Sequence, residues 1–173
     1  MERKKQSEEN KSNRKWLLLF VAIGVTIWAL FFRAAPTLVP DYAPRQQEAH
    51  AEEIGGADEE KLPQAQGGGA VSLSYTTDVR ISLLKQQATL YFANPSKSNQ
   101  DMVLQIVVQD TVLAQSGTIA PGRQVKELDL LKDAAQKLSP GGYEGKFTVF
   151  YYQPDTHEKT IVNTEIPVQI TVE

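Results

Sequence analysis

Residues 102–108 read MVLQIVV and contain the longest regular alternation in the chain, with Met102, Leu104, Ile106 and Val108 at every second position. Successive side chains of a β-strand point to opposite faces of the sheet, whereas side chains on a helix repeat every 3.6 residues. A period of two therefore predicts a strand with one face in a hydrophobic core. This stretch predicts an all-β fold for the residues around it.

Shorter alternations continue on both sides of this strand. Turn-forming pairs such as Asn94-Pro95 and Pro121-Gly122 separate them, and the polar loop 153–159 separates the last two. We expect Pro167 to lie at a bulge or a sheet edge, because proline has no N–H to donate to a ladder. Residues 132–138, KDAAQKL, are the one stretch with helical composition. The other predicted strands lie at 71–76, 79–83, 88–92, 112–114, 125–131, 143–152 and 160–173.

Seven or eight short strands without alternating helices predict an antiparallel β-sandwich over residues 70–173. Within this range, the segment LSPGGY at 138–143 resembles the tyrosine corner of immunoglobulin-like and fibronectin type III-like domains. The resemblance implies that the Tyr143 hydroxyl bonds to upstream backbone. It also implies turn-forming roles for three further residues, Leu138, Pro140 and Gly142.

Three segments taken together resemble small membrane-anchored Ig-like surface proteins of Gram-positive bacteria. They are SGTIAPG at 116–122, the segment 138–143, and IPVQITV at 166–172. What this resemblance implies is an Ig-like envelope module, and it implies no activity.

A second decisive stretch is WLLLFVAIGVTIWALFF at 16–32, which has no charged residue. About 17 apolar residues are the lower limit for a helix that crosses a bilayer. Trp16, Trp28 and Arg33 are suited to the two interfaces. Arg33-Ala34-Ala35 is a poor cleavage site because Arg stands where a small residue is needed, which argues against a removable signal peptide. We therefore predict a permanent signal-anchor helix at 16–34 that contacts the lipid bilayer.

Charge gives this predicted helix a direction. Residues 1–15 hold six basic and three acidic side chains, whereas the part after the helix holds twelve basic and eighteen acidic ones. Short basic flanks stay cytoplasmic, so we predict a cytoplasmic stub at 1–15 and an extracellular C-terminal domain in the cell membrane. The acidic exterior argues against nucleic-acid binding. The absence of cysteine favours a bacterial surface protein and excludes thiolate chemistry.

Residues 35–69 are rich in proline, glycine and acidic side chains and poor in apolar ones. Such a composition predicts a disordered linker. A flexible chain of this length would span roughly 30–35 Å by the square-root rule. We expect its acidic run, with His50, to be solvated, because the offsets of a Ca²⁺ loop are absent.

No catalytic or cofactor motif is found in the sequence. The only histidines are His50 in the predicted linker and His157 in the 153–159 loop, so neither a His-based metal site nor a Ser-His-Asp triad is expected. A weak cation site of His157 with Asp155 and Glu158 is the other interpretation of that loop. Paired carboxylates for glycoside hydrolysis are not excluded by spacing alone. We predict that the protein is not an enzyme and that it uses no cofactor.

Aromatic side chains offer one further functional hypothesis. Tyr91, Tyr151 and Tyr152 would form a candidate binding surface if they were exposed, and core filling is the alternative. The leading prediction is a binding or scaffold domain that serves as an accessory subunit of a surface or membrane complex, with a protein partner in the envelope. The second is a cell-wall or carbohydrate-binding module that holds glycan on these tyrosines.

Overall fold

A computed structural model of the chain describes residues 40–56, 59–64 and 68–173. In this part of the chain most alternating segments form strands, as their period of two predicts, whereas only Ser74–Tyr75 of the predicted strand 71–76 does so. A 3₁₀ turn at Ala135–Lys137 stands where residues 132–138 had helical composition, since so short a segment cannot offset the cost of nucleating an α-helix. The strands are β1 Ala51–Glu53, β2 Ser74–Tyr75, β3 Asp78–Ser82, β4 Gln87–Asn94, β5 Asp101–Val108, β6 Thr111–Gln115, β7 Arg123–Asp129, β8 Gly141–Tyr152 and β9 Lys159–Val172.

The strands form one curled sheet in the order β1-β7-β4-β3-β9-β8-β5-β6, with β2 beside β4. Strand β3 joins the two halves, because it pairs antiparallel with β4 and parallel with β9. A bridge between Ala114 and Leu130 brings the end of β6 next to the end of β7. The all-β prediction is confirmed, and the sheet is continuous through β3 rather than divided into two separate sheets.

The core lies between the two halves of the curled sheet. Phe92 on β4 meets Phe147 on β8 edge to face, with ring centroids 6.3 Å apart. Such aromatic pairs stabilise a core beyond their area of burial. Gly145 marks a close approach of β8 to its neighbours β9 and β5, since a Cβ there would lie 2.5 Å from Ile170 Cδ1 and 2.8 Å from the Val107 carbonyl oxygen.

Strand β8 is buried on both faces near its end, as its continuous apolar letters predicted. Tyr151 belongs to the main core, whereas Phe150 and Tyr152 form a second apolar cluster with Val103 and Ala43. Ala43 is the member that comes from outside the predicted domain. The second face is therefore covered by the chain that precedes the domain.

The prediction of a disordered linker at 35–69 is wrong for its described residues 40–56, which we call the strap. Tyr42 bridges Glu158, Gln47 bridges Thr118, and β1 pairs with β7. The composition argument failed because backbone hydrogen bonds and charge, rather than apolar burial, hold the strap. The folded part of the chain therefore includes residues well before the predicted boundary at 70.

Pro167 lies on a stretch of β9 that has a neighbour on one side only. Lys146 of β8 faces it, whereas the pairing of β9 with β3 begins at Gln169, whose N–H donates to the Thr77 carbonyl. Residues two apart in a strand direct their N–H groups to the same side. The position without an N–H thus falls on the open edge of β9, as expected.

In the described ranges no helix is long and apolar enough to cross a membrane. The predicted anchor at 16–34, with Trp16, Trp28 and Arg33, and the predicted stub at 1–15 lie outside the described residues.

Candidate functional site: the strap and its seat

The tyrosines of the predicted aromatic binding surface do not form one. Tyr151 and Tyr152 are 3% and 0% exposed, and burial raises the pKa of both hydroxyls. The Tyr151 hydroxyl lies 2.7 Å from Thr164 Oγ1, and the Tyr152 hydroxyl donates to the Pro40 carbonyl at 3.1 Å. Only Tyr91 is partly exposed, as a separate side chain on β4. The prediction of a three-tyrosine surface is wrong, because β8 is covered on both faces.

The segment 138–143 makes the contact that its resemblance to a tyrosine corner implies. The Tyr143 hydroxyl donates to the Ser139 carbonyl at 2.9 Å and accepts from the Ser139 N–H at 3.2 Å. Leu138 is buried in the core, and Gly142 has no neighbour within 4 Å of where a Cβ would lie. This arrangement fixes the entry of the chain into β8, next to Pro140.

The strap is seated first on Gly117 and Thr118. Glu48 donates its N–H to the Thr118 carbonyl at 2.9 Å, and Thr118 donates its N–H to the Gln46 carbonyl at 3.1 Å. The Glu48 carboxylate accepts from the Gly117 N–H at 2.6 Å, and Thr118 Oγ1 donates to the Pro44 carbonyl at 2.6 Å. A hydrogen bond to a charged group is about twice as strong as a neutral one. Gly117 is needed here, since a Cβ would lie 2.8 Å from the Gln46 carbonyl oxygen.

The strap is seated next along β7, where two basic side chains meet acidic side chains of the strap. Glu52 Oε2 lies 2.6 Å from Lys126 Nζ, and Glu53 Oε1 lies 3.3 Å from Arg123. The hydrogen bond and charge of Lys126 lower the pKa of Glu52, and Glu52 in turn raises the pKa of Lys126. These side chains are exposed, so each pair contributes little to stability and chiefly sets register and specificity.

A third pair on β7 has the acidic group on the strand and an imidazole on the strap. His50 Nε2 on the strap lies 3.3 Å from Asp129 Oδ2, whose side chain is 73% exposed. His50 also donates its N–H to Glu48 Oε1 at 3.1 Å. The side chains at 48, 50, 52 and 53 of the strap therefore each meet a complementary group of the domain.

The beginning of the strap covers the second apolar cluster. Lys159 donates its N–H to the Asp41 carbonyl at 2.8 Å, and Ala43 donates its N–H to the His157 carbonyl at 2.7 Å. Asp101 is buried on this side of the molecule, and that burial raises its pKa, although the charge of His157 opposes the shift.

An open polar groove of about 800 Å³ lies beside the end of the strap. Two ion pairs border it, Arg123 with Glu53 at 3.3 Å and Lys97 with Glu59 at 3.5 Å. Tyr91 forms part of its wall. The groove is therefore bordered by hydrogen-bonding side chains of positive and of negative charge.

A stretch of β9 exposes two large apolar side chains. Ile161 and Val162 lie in a bulge between the pairs Tyr152–Lys159 and Phe150–Asn163 and are exposed. A groove of about 430 Å³ runs along them. Among the described residues, no strand pairs with the outer edge of β9 between Lys159 and Gln169.

In the part of the chain that the structure describes, no three histidine or acidic side chains come close enough to hold a metal ion. His157 lies in the 153–159 loop, as predicted, with a positive φ of 60°. His50, predicted to lie in a solvated acidic run, is instead paired with Asp129.

Sequence reasoning missed the strap, although two signals pointed to it. Phe150 and Tyr152 gave β8 a second apolar face that needed a cover. The acidic pair Glu52-Glu53 also had complementary charges in Arg123 and Lys126. Neither signal identifies its partner without the fold, since Glu52 is 74 positions from Lys126 and Tyr152 is 112 positions from Pro40.

Comparisons with known proteins leave the family open. No family model matches the chain, and no curated protein sequence matches it. Among solved structures it is similar to the crystal structure of AggA, the major subunit of aggregative adherence fimbriae type I from Escherichia coli. The identity is 9%, the match covers 66% of this chain and 100% of that chain, and the TM-score is 0.31. A likeness at this level carries no argument about function.

Proposed function

We propose that this chain is a single-pass envelope protein that presents an Ig-like β-sandwich outside the membrane and acts by binding a protein partner. Residues 16–34 are its uncleaved anchor, and residues 1–15 are cytoplasmic. The domain is non-enzymatic and serves as an accessory or scaffold subunit of a surface or membrane complex. The shared strand β3 and the hydrogen bonds of Tyr143 to Ser139 support the Ig-like interpretation of the curled sheet.

The observation that carries this proposal is where the strap begins. Pro40 already accepts a hydrogen bond from Tyr152, so only residues 35–39 separate the proposed anchor from the folded domain. Five extended residues span at most about 17 Å. The proposed connection between anchor and domain is therefore residues 35–39 alone, and not the long tether that residues 35–69 had predicted. A short connection suits a subunit of a membrane complex.

A protein partner is favoured by the exposed pair Ile161 and Val162. Exposed apolar side chains beside an unpaired strand edge are suited to contact with another polypeptide. The carbohydrate alternative has lost its main support, since two of its three tyrosines are buried. We therefore propose no glycan partner.

Topology is tested by labelling single cysteines, which is clean because the chain has none of its own. Ser7→Cys places a thiol in the stub, and Lys85→Cys places one in an exposed turn of the domain. A membrane-impermeant maleimide should label position 85 on intact cells and position 7 only after lysis. Labelling of position 7 on intact cells, or protection of position 85, contradicts the proposed orientation.

Partner binding is tested with a photocrosslinking amino acid at Val162, and with the same amino acid at Leu84 as a matched exposed apolar control. We expect a discrete crosslinked protein band from position 162 in cells and none from position 84. Equal patterns from both positions, or no band from 162, would count against a partner at this surface.

A further inference from the structure

We propose that the strap is a built-in competitor, and that its seat binds an acidic segment of a partner protein when the strap leaves. The seat consists of Gly117, Thr118 and strand β7. This inference deepens the proposed function, on which it rests only for the premise that the domain binds a protein.

The strap is attached in a way that favours exchange. Ala43 is its one buried side chain among residues 40–56, and the others are partly or fully exposed. Backbone hydrogen bonds and surface ion pairs hold the rest, and water can replace each of these contacts at little cost. Segments with few buried apolar contacts open locally before the fold as a whole unfolds.

The seat does not depend on the strap for its own shape. Strand β7 is paired along its other edge with β4, from Gln87–Asp129 to Asn94–Arg123. Next to Gly117 and Thr118, Ser116 donates its N–H to the Leu104 carbonyl, and Ile119 exchanges hydrogen bonds with Met102. A site that is formed before its ligand arrives loses little entropy on binding.

The chemistry of the seat specifies its ligand. The Gly117 N–H and the cations of Arg123 and Lys126 recognise carboxylates, whereas Asp129 recognises a basic group or a protonated imidazole. The strap residues that meet these four groups are, in the same order, Glu48, Glu53, Glu52 and His50. The ligand is therefore a segment with carboxylates at its first, fifth and sixth positions and a basic group at its third, with a turn over its first four residues like the one closed by the hydrogen bond from the Ala51 N–H to the Glu48 carbonyl.

The backbone of the seat sets the direction of the ligand. Ala51–Glu53 pairs antiparallel with Arg123–Val125, so a partner segment that replaces the strap adds an antiparallel strand to the edge of β7. The absent side chain of Gly117 lets the ligand backbone pass within van der Waals distance. Main-chain hydrogen bonds give such a contact its affinity, and the charged side chains give it selectivity.

The test uses the full chain in detergent micelles, with a fluorescent peptide of the strap sequence, PDYAPRQQEAHAEEIGG, as the probe. In a released variant, Glu52→Lys and Glu53→Lys change only the strap and leave Arg123 and Lys126 in place. In a locked variant, Ala51→Cys and Val125→Cys join a directly opposed pair of β1 and β7. The control probe is the same peptide with both glutamates replaced by lysine.

We expect the released variant to bind the probe about tenfold tighter than the wild-type chain, because each lost pair weakens the strap by up to a factor of about five. The oxidised locked variant should not bind, and reduction of its disulfide should restore binding in the same molecules. Reduction is thus an internal control for folding. Far-UV circular dichroism checks that the released variant keeps its strand content.

Equal binding of the strap probe and the lysine probe would overturn the proposal, and so would full binding by the oxidised locked chain. A released variant that is folded and does not bind would overturn it as well. None of these results bears on the cysteine labelling or the photocrosslinking at Val162. Failure of this inference is therefore distinguishable from failure of the proposed function.

Discussion

Gly117→Ala places one methyl group against the backbone of the strap. The new Cβ would lie 2.8 Å from the Gln46 carbonyl oxygen and 2.9 Å from the Glu48 nitrogen. Both contacts are shorter than carbon makes with these atoms, and both are backbone atoms that cannot rotate away. Gly117 has no positive φ that would itself oppose alanine. The strap must therefore shift at this point.

The cost follows from the hydrogen bonds at Gly117 and Thr118. Four bonds join these two residues to Pro44, Gln46 and Glu48. A typical bond contributes about 0.5–1.5 kcal/mol net. Water recovers part of this loss when the strap shifts. We expect a net loss of about 1–4 kcal/mol in the free energy that keeps the strap seated.

Hydrogen exchange of the full chain, followed by mass spectrometry, measures this loss where it occurs. Amides of peptides that cover 41–48 should exchange at least about fivefold faster, since 1 kcal/mol corresponds to a factor of about five. Tryptophan fluorescence is unsuitable, because both tryptophans lie within 16–32. Gly142→Ala is the matched control, since nothing lies within 4 Å of its Cβ position. Unchanged exchange in Gly117→Ala, or equal changes in both variants, would refute the reasoning.

Three further substitutions have defined outcomes. Asp101→Asn should raise the melting temperature at pH 7, because burial raises the native pKa of Asp101 and its charge costs stability above that pKa. This gain in melting temperature should shrink as the pH falls toward about 3.9, where the native carboxyl is protonated. A gain in melting temperature that does not change with pH would contradict this cause. Tyr152→Phe removes the hydrogen bond to Pro40 and should lower the free energy of unfolding in urea by about 0.5–1.5 kcal/mol. Amide hydrogen exchange at 40–43 should become faster. No change in either measurement would argue against that contact. Gly145→Ala should lower the melting temperature and cost about 1–3 kcal/mol of stability, because the new methyl group clashes with Ile170 and Val107. A neutral result would show that β5, β8 and β9 are less closely packed.

Strand positions could be predicted from the sequence because a period of two is a local property. Residues 102–108 and 143–152 both lie in strands as expected, and Pro167 lies on an open edge. Burial of Tyr151 and Tyr152 could not be assigned, because a strand with apolar side chains on both faces fits either a covered sheet or an exposed aromatic surface. The cover itself comes from residue 43, which composition alone had placed in a disordered linker.

The candidate site was out of reach of the sequence for a related reason. Glu48 is 69 positions from Gly117, and Glu52 is 74 positions from Lys126. An acidic residue looks the same in the sequence whether its side chain is solvated or paired with a basic side chain of a distant strand.

The sequence by itself determined the all-β class, the turns between strands and an apolar stretch at 16–32 suited to a bilayer, since each depends on neighbouring residues. Only the tertiary structure decided that residues 40–56 are part of the domain. The physical reason is that the hydrogen-bonding groups of Gly117 and Thr118 and the charges of β7 come to one surface only in the folded sheet.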